Sequence, residues 1–303
     1  MFVYLFNLLV VCLEWWQLFI RIPIAFFRST CREIWPRAKK SIDGQIVLIT
    51  GAGHGLGKEL AFHLSRLQAI LVLWDINKEQ VEKTGREIRA LGGRAHAYQV
   101  DVSDYTRVLT AAEKVREEVG DVDILINNAG TCKVQPFTEV SAGEIRRSIS
   151  VNLMSHFWTI KAFLPQMLHQ GKGHIVAISS NLGIIGKSHF TEYSAAKFGV
   201  NGLMQALEAE LHEMKKRGIR MTTICPAAID TGLVKSIETR FPRIFPLLNT
   251  GTAARLIVDS ILRNDHLLII PNGYRYLYAF LANCPRKVSL LFADFLGNTT
   301  EID

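Results

Sequence analysis

Cysteine pairs at metal-ligand spacing are missing from this chain. Its five cysteines stand singly at 12, 31, 132, 225 and 284, with no CxxC and no Cys/His cluster. A structural zinc site and a disulfide framework are therefore not expected, and lone thiols suit a reducing, cytosol-facing compartment. A large excess of one charge is also lacking. Over 303 residues, 35 Lys and Arg oppose 28 Asp and Glu, a net +7. Residues 1–40 hold six cations and two anions, so +4 of that surplus lies there and only +3 remains elsewhere. That is too little for a nucleic-acid-binding domain. Repeats and low-complexity tracts are absent and 49% of residues are apolar, which excludes disordered and collagen-like chains.

What is present begins with a long apolar run. Residues 2–27 are mostly Leu, Val, Phe, Ile and Trp, interrupted by Glu14, Gln17, Arg21 and Pro23. About 20 such residues suffice for a spanning helix. No basic segment precedes the run and no small-residue cleavage site follows it, so a secretory signal fits worse. Trp15, Trp16, Arg21 and Arg28 are of the types that sit at a membrane interface. Glu14 leaves a shallow or hairpin insertion open beside a span, and a helix buried in the globular part is the plain alternative. Cations follow the run, which places the remaining chain on the cytosolic side. The sequon Asn298-Thr299-Thr300 is then a chance match.

From Ser41 onward short β-branched runs alternate with longer amphipathic ones. The pattern predicts strands at 46–50, 70–74, 95–100, 124–127, 174–179, 219–225 and 267–270. Helices are expected at 55–67, 78–91, 104–119, 142–168, 193–217 and 252–262. Near-continuous apolar strands separated by helices imply an α/β fold, a single doubly wound parallel sheet covered on both faces. The expected organisation is an anchor and basic linker at 1–40, a catalytic domain at 41–272 and an apolar C-terminal segment at 273–303. Residues 231–248 read as a substrate lid or membrane-touching loop, and 274–297 as an amphipathic surface segment.

The string Thr50-Gly51-Ala52-Gly53-His54-Gly55-Leu56-Gly57 joins the first predicted strand to the first helix. Glycines permit a sharp turn and close backbone approach, and the helix N-terminus offers N–H donors to a pyrophosphate. Strand and helix on either side make this a dinucleotide site rather than a simple turn. Asp75, about 20 residues on, ends the second strand where a carboxylate can bind ribose hydroxyls and repel a 2′-phosphate, which favours NAD over NADP. The alternative for Asp75 is a helix N-cap. Asp101-Val102 after the third strand would lie by the adenine, or Asp101 caps the next helix.

Tyr193 and Lys197 stand four apart at the start of a predicted helix and so share a face. A neighbouring ammonium favours the phenolate and would let a phenol of ordinary pKa near 10 move a proton near neutral pH. Ser180 can hydrogen-bond a substrate oxygen, with Ser179 a competing assignment. Asn152 inside the long fourth helix is either solvated or holds a structural water.

With TGAGHGLG at 50–57, NNAG at 127–130, Asn152, Ser180 and YSAAK at 193–197, residues 44–272 resemble the short-chain dehydrogenase/reductases. The apolar N-terminus, LVLWDINKE, KAFLP and FPRIFPLL resemble the 16C subgroup, which includes epidermal retinol dehydrogenases and lipid-droplet 17-beta-hydroxysteroid dehydrogenases. That resemblance implies Tyr193 as general acid/base, Ser180 orienting the alcohol, Lys197 binding nicotinamide ribose and assisting Tyr193, and Asn152 in a water-mediated relay. It implies NAD contacts from Gly51, Gly53, Gly55, Leu56, Gly57, Asp75, Asp101, Val102, Asn128, Tyr193, Lys197 and Thr231. Ala227 stands where the family usually has Gly after the proline at 226. It further implies a lipophilic alcohol substrate, retinol before steroid, at the endoplasmic reticulum membrane or lipid droplet, and a homodimer. A catalytically vestigial recruitment protein is the alternative of another class.

Overall fold

The computed structural model describes residues 2–34, 37–232, 241 and 247–296. The chain divides into two compact units, Met1–Lys40 and Ser41–Asp303. The first contains one long helix, α1 (Phe2–Ile34). Its stretch Leu9–Phe27 is long and apolar enough to cross a membrane, and none of it is buried.

The second unit holds strands β1 (Ile46–Thr50), β2 (Ile70–Asp75), β3 (Arg94–Gln99), β4 (Ile124–Asn127), β5 (Gly173–Ile178), β6 (Ile219–Pro226) and β7 (Leu267–Ile270). They form one parallel sheet in the order β3-β2-β1-β4-β5-β6-β7. Alternation along each strand divides two cores. Val47 and Ile49 pack beneath α2 (Gly55–Ser65), α3 (Lys78–Ala90) and α8 (Thr250–Arg263). Leu48, between them, faces α4 (Tyr105–Glu118), α6 (Ser155–Gln170) and α7 (Thr191–Glu213) on the other side. With apolar side chains on both faces, the central strands read as continuous apolar runs, as a doubly covered sheet requires. The order reverses between β1 and β4, which opens a crevice at the carboxyl ends of those strands.

Local chemistry sets several boundaries. Asn77 caps α3 by accepting from the Gln80 N–H, and Asp104 caps α4 through the Thr106 and Arg107 N–H groups. Ser141 and Glu144 form a capping box on α5 (Ala142–Ile149). The uninterrupted helix expected over 142–168 is instead α5 and α6 joined by a π-helical turn, Ser150–Met154. A wider turn of this kind inserts one extra residue and re-aims the side chains on it, here Asn152.

Beyond β7 the chain forms α9 (Tyr274–Asn283) and α10 (Arg286–Leu296), so the expected surface segment is a pair of helices. Each has an apolar side turned outward: Tyr276 and Phe280 on α9, Leu290, Leu291 and Phe295 on α10. Of the expected lid at 231–248, residues 233–240 and 242–246 lie outside the described residues, as does the sequon at 298–300.

Candidate active site

Where β1 ends, Thr50 and Asn128 lock the glycine turn to β4. The Thr50 hydroxyl oxygen accepts from the Asn128 and Ala129 N–H groups at 2.9 and 3.0 Å. The Asn128 amide donates back to the carbonyls of Thr50 and Gly51 at 2.9 and 3.1 Å. The turn has no room for side chains. A Cβ on Gly57 would lie 2.0 Å from the Gly51 carbonyl oxygen, and Gly51 itself has φ +66. His54 precedes α2 without a side-chain cap, so the helix opens with no side chain of its N-cap on its N–H groups.

Asp75 is buried at the end of β2. One carboxylate oxygen accepts from Gly53 N–H at 2.8 Å and the other from Asn77 N–H at 2.9 Å. It does not cap α3; Asn77 does. A carboxylate has about four acceptor positions, so two remain for ribose hydroxyls. Asp101 likewise is no helix cap: its carboxylate accepts from the backbone N–H and hydroxyl of Ser103, while Asp104 caps α4. Val102 is buried in the core under α4 and α6. Thr231 lies opposite Gly55, whose added Cβ would come 3.2 Å from the Thr231 Cβ. Ala227 donates its N–H to the Ile270 carbonyl at 2.8 Å and lines the cavity. The tight turn, the buried carboxylate and the open helix end together fit a dinucleotide.

The crevice continues into a cavity of about 340 Å³. It is lined by Gly51, Gly55, Leu56 and Asn128 of the glycine turn and the β4 end, by Ser180, Tyr193 and Lys197, and by the apolar side chains of Ile185, Leu277, Leu281 and Phe292. Tyr193 and Lys197 share a face of α7, both buried. The amine of Lys197 donates to the Ile178 carbonyl at 2.9 Å and lies 5.6 Å from the Tyr193 ring centre. Burial pushes this amine down to about 8. Burial also pushes the phenol of Tyr193 well above its ordinary value; the Cys132 thiol adds to this and the Ser180 hydroxyl opposes it. The expected lowering of the phenol by its amine neighbour is thus not what the structure shows, because desolvation dominates and the amine is turned to the backbone.

Both serines line the cavity, but Ser179 donates its hydroxyl to the Lys197 carbonyl at 3.2 Å, while Ser180 lies against Tyr193. Asn152 is fully buried rather than solvated. Its amide donates to the Thr131 carbonyl at 2.7 Å and accepts from the Thr131 N–H at 3.1 Å, fixing the loop after β4. Cys132, on that loop, lines the cavity with its thiol pushed up to about 12 by burial. Sequence reading missed Thr50, Cys132, Asn181 and Tyr278. Thr50 opens the glycine string and Asn181 follows Ser180, but nothing local marks Cys132 or Tyr278. Among the described residues no cluster of His, Cys, Asp and Glu is arranged to hold a metal ion.

A family profile described as short chain dehydrogenase matches residues 45–241. Human 17-beta-hydroxysteroid dehydrogenase 13 is 39% identical over 271 residues, covering 89% of this chain and 88% of that one. Human epidermal retinol dehydrogenase 2 is 41% identical over 263 residues, covering 86% and 85%. Among solved structures, 7 alpha-hydroxysteroid dehydrogenase complexed with NADH and 7-oxo glycochenodeoxycholic acid superimposes with a TM-score of 0.69 at 28% identity, over 77% of this chain and 94% of that one.

Proposed function

The chain belongs to the short-chain dehydrogenase family, in its 16C subgroup, and from that premise we propose that it is an NAD-dependent oxidoreductase of lipophilic alcohols, with all-trans-retinol as the leading substrate. The observation that carries this reading is one cavity lined together by the glycine turn, by Ser180, Tyr193 and Lys197, and by apolar side chains of α9 and α10. NAD, when bound, supplies a nicotinamide ring that takes the hydride from the alcohol carbon.

The rest is work for the chain's own groups. The glycine turn holds the pyrophosphate through backbone N–H groups, and Asp75 takes the ribose hydroxyls. Asp101 and Val102, at the end of β3, would hold the adenine side, while Asn128 holds the turn and Thr231 stands opposite Gly55. Tyr193 accepts the hydroxyl proton, and Ser180 hydrogen-bonds the same substrate oxygen. Lys197 would bind the nicotinamide ribose and, when protonated, would place positive charge beside the phenol. Asn152 steadies the loop beside the relay by which that proton leaves. The walls exclude water and set the distance over which hydride passes.

The apolar helix Leu9–Phe27 supports attachment to the endoplasmic reticulum membrane or a lipid droplet, with the catalytic unit in the cytosol. The outward apolar sides of α9 and α10, helices that wall the cavity, suit uptake of alcohol from such a surface. A homodimer is the family's habit and is proposed on that ground alone. Steroid alcohols are the second reading, favoured by the relatives named for steroids. A purely recruiting role is disfavoured by the intact Asn152, Ser180, Tyr193 and Lys197.

The test is turnover of retinol, retinal and steroid alcohols or ketones by membranes bearing the protein, with NAD and NADP side by side. NAD-dependent retinol oxidation lost in Tyr193→Phe is expected; wild-type turnover in that variant refutes the reading.

A further inference from the structure

Ser180 does not stand alone at the cavity. Its hydroxyl oxygen accepts from the Leu182 N–H at 3.1 Å, and its proton goes to the Asn181 Oδ1, also at 3.1 Å. The Asn181 Nδ2 in turn donates to the Tyr278 hydroxyl at 2.8 Å. Tyr278 is 97 residues further along the chain, on α9, and nearly buried. Its ring is held edge-on by Tyr274, centres 5.8 Å apart and planes at 85°, and packs with Cys225 and Ile269 at the carboxyl edge of the sheet.

A side-chain amide has one donating and one accepting end. With its nitrogen donated to Tyr278, Asn181 turns its oxygen to Ser180. The serine has one proton and two lone pairs. Before an alcohol enters, Asn181 holds that proton and Leu182 one lone pair, which fixes the hydroxyl beside Tyr193; a substrate oxygen then takes the proton over from Asn181, so the direction from which Ser180 donates is set by Asn181. Without the Tyr278 hydroxyl the amide is free to rotate, and the serine loses its fixed direction.

We propose that Asn181 and Tyr278 are positioning residues for the Ser180 hydroxyl, so that the C-terminal helix α9 supplies part of the alcohol-binding machinery and not only a wall. This rests on the reading of Ser180 given above.

The test uses the full chain in membranes with NAD and the most active alcohol of the panel. Tyr278→Phe keeps the ring and its packing and removes only the oxygen. Its kcat is expected to fall about tenfold, with KM for alcohol and affinity for NADH within about twofold. Asn181→Ala, which reaches the same network from the loop, is expected to match it and not to add to it. In a Ser180→Ala background the Tyr278 change is expected to cost less than about twofold, since its route is already cut. Wild-type kcat in both Tyr278→Phe and Asn181→Ala overturns the proposal. So does the same tenfold loss with and without Ser180, which would mark a general disturbance of α9. Wild-type turnover in Ser180→Ala alone would instead overturn the reading of Ser180, and the proposal with it.

Discussion

The amine of Lys197 is bonded to the Ile178 carbonyl at 2.9 Å while lying 5.6 Å from the ring centre of Tyr193. The pair shares one helix face, yet each is shifted toward its uncharged form: the amine down to about 8, the phenol upward. Two buried groups in low dielectric both lose by being charged. A phenol in this setting becomes a proton acceptor only when positive charge is brought close to its oxygen.

Lys197→Met separates the energetic and chemical roles of that amine. Its folded value, about 8, lies below the ordinary 10.5, so between these limits the unfolded chain binds more protons and stability rises with pH. Wild-type melting temperature should therefore climb over this window, and the climb should shrink in Lys197→Met. The same variant should lose at least ~100-fold in kcat/KM. An identical pH slope in both proteins would contradict the buried, weakened amine.

Asp75 ties the glycine turn down through the Gly53 N–H, and in the proposed reading it also takes the ribose hydroxyls. Asp75→Asn keeps an acceptor for the Gly53 N–H but removes the charge, so it should narrow the NAD-to-NADP ratio in kcat/KM by about tenfold or more. Asp75→Ala should do the same and weaken both cofactors further, because the turn loses its anchor. An unchanged ratio in either variant would assign the choice of cofactor to another residue.

Gly57 has no room to grow. An added Cβ would lie 2.0 Å from the Gly51 carbonyl oxygen and 2.6 Å from the Asn128 amide nitrogen. Gly57→Ala must open the turn, and NADH affinity measured by fluorescence should fall about 10- to 100-fold. Affinity equal to wild type would show that the turn can shift at no cost.

His156 is buried on α6 with no hydrogen-bond partner at either ring nitrogen, and burial pushes it down to about 3. Its ordinary value is 6.5, so as pH falls below that the unfolded chain takes up a proton that the folded one refuses. Between pH 7.5 and 5 this should remove about 2 kcal/mol of stability. His156→Leu should hold its stability better over that interval in urea titrations. Equal losses in the two proteins would place the acid sensitivity elsewhere.

Much of this molecule is legible along the chain because the signals are local. Alternating apolar strands and amphipathic helices dictate the parallel sheet, the observed strands lying within a residue or so of the expected ones. The glycine string announces itself by its place between β1 and α2, and Tyr193 and Lys197 by a spacing that helix geometry turns into a shared face. What periodicity does not carry is where a polar group spends its hydrogen bonds. Only the packed fold made Asn77 and Asp104 the helix caps, leaving Asp75 and Asp101 for other partners. Only the fold buried Asn152 on a π-helical turn against Thr131, and turned the Ser179 hydroxyl to the Lys197 carbonyl while setting Ser180 against Tyr193. Tyr278 meets Asn181 across 97 residues, a contact that no local pattern encodes. Element identity follows from side-chain period and propensity, which are properties of neighbours in sequence. Desolvation and hydrogen-bond choice depend on neighbours in space, so the sign of the shift on Tyr193 was decided only when the chain closed around it.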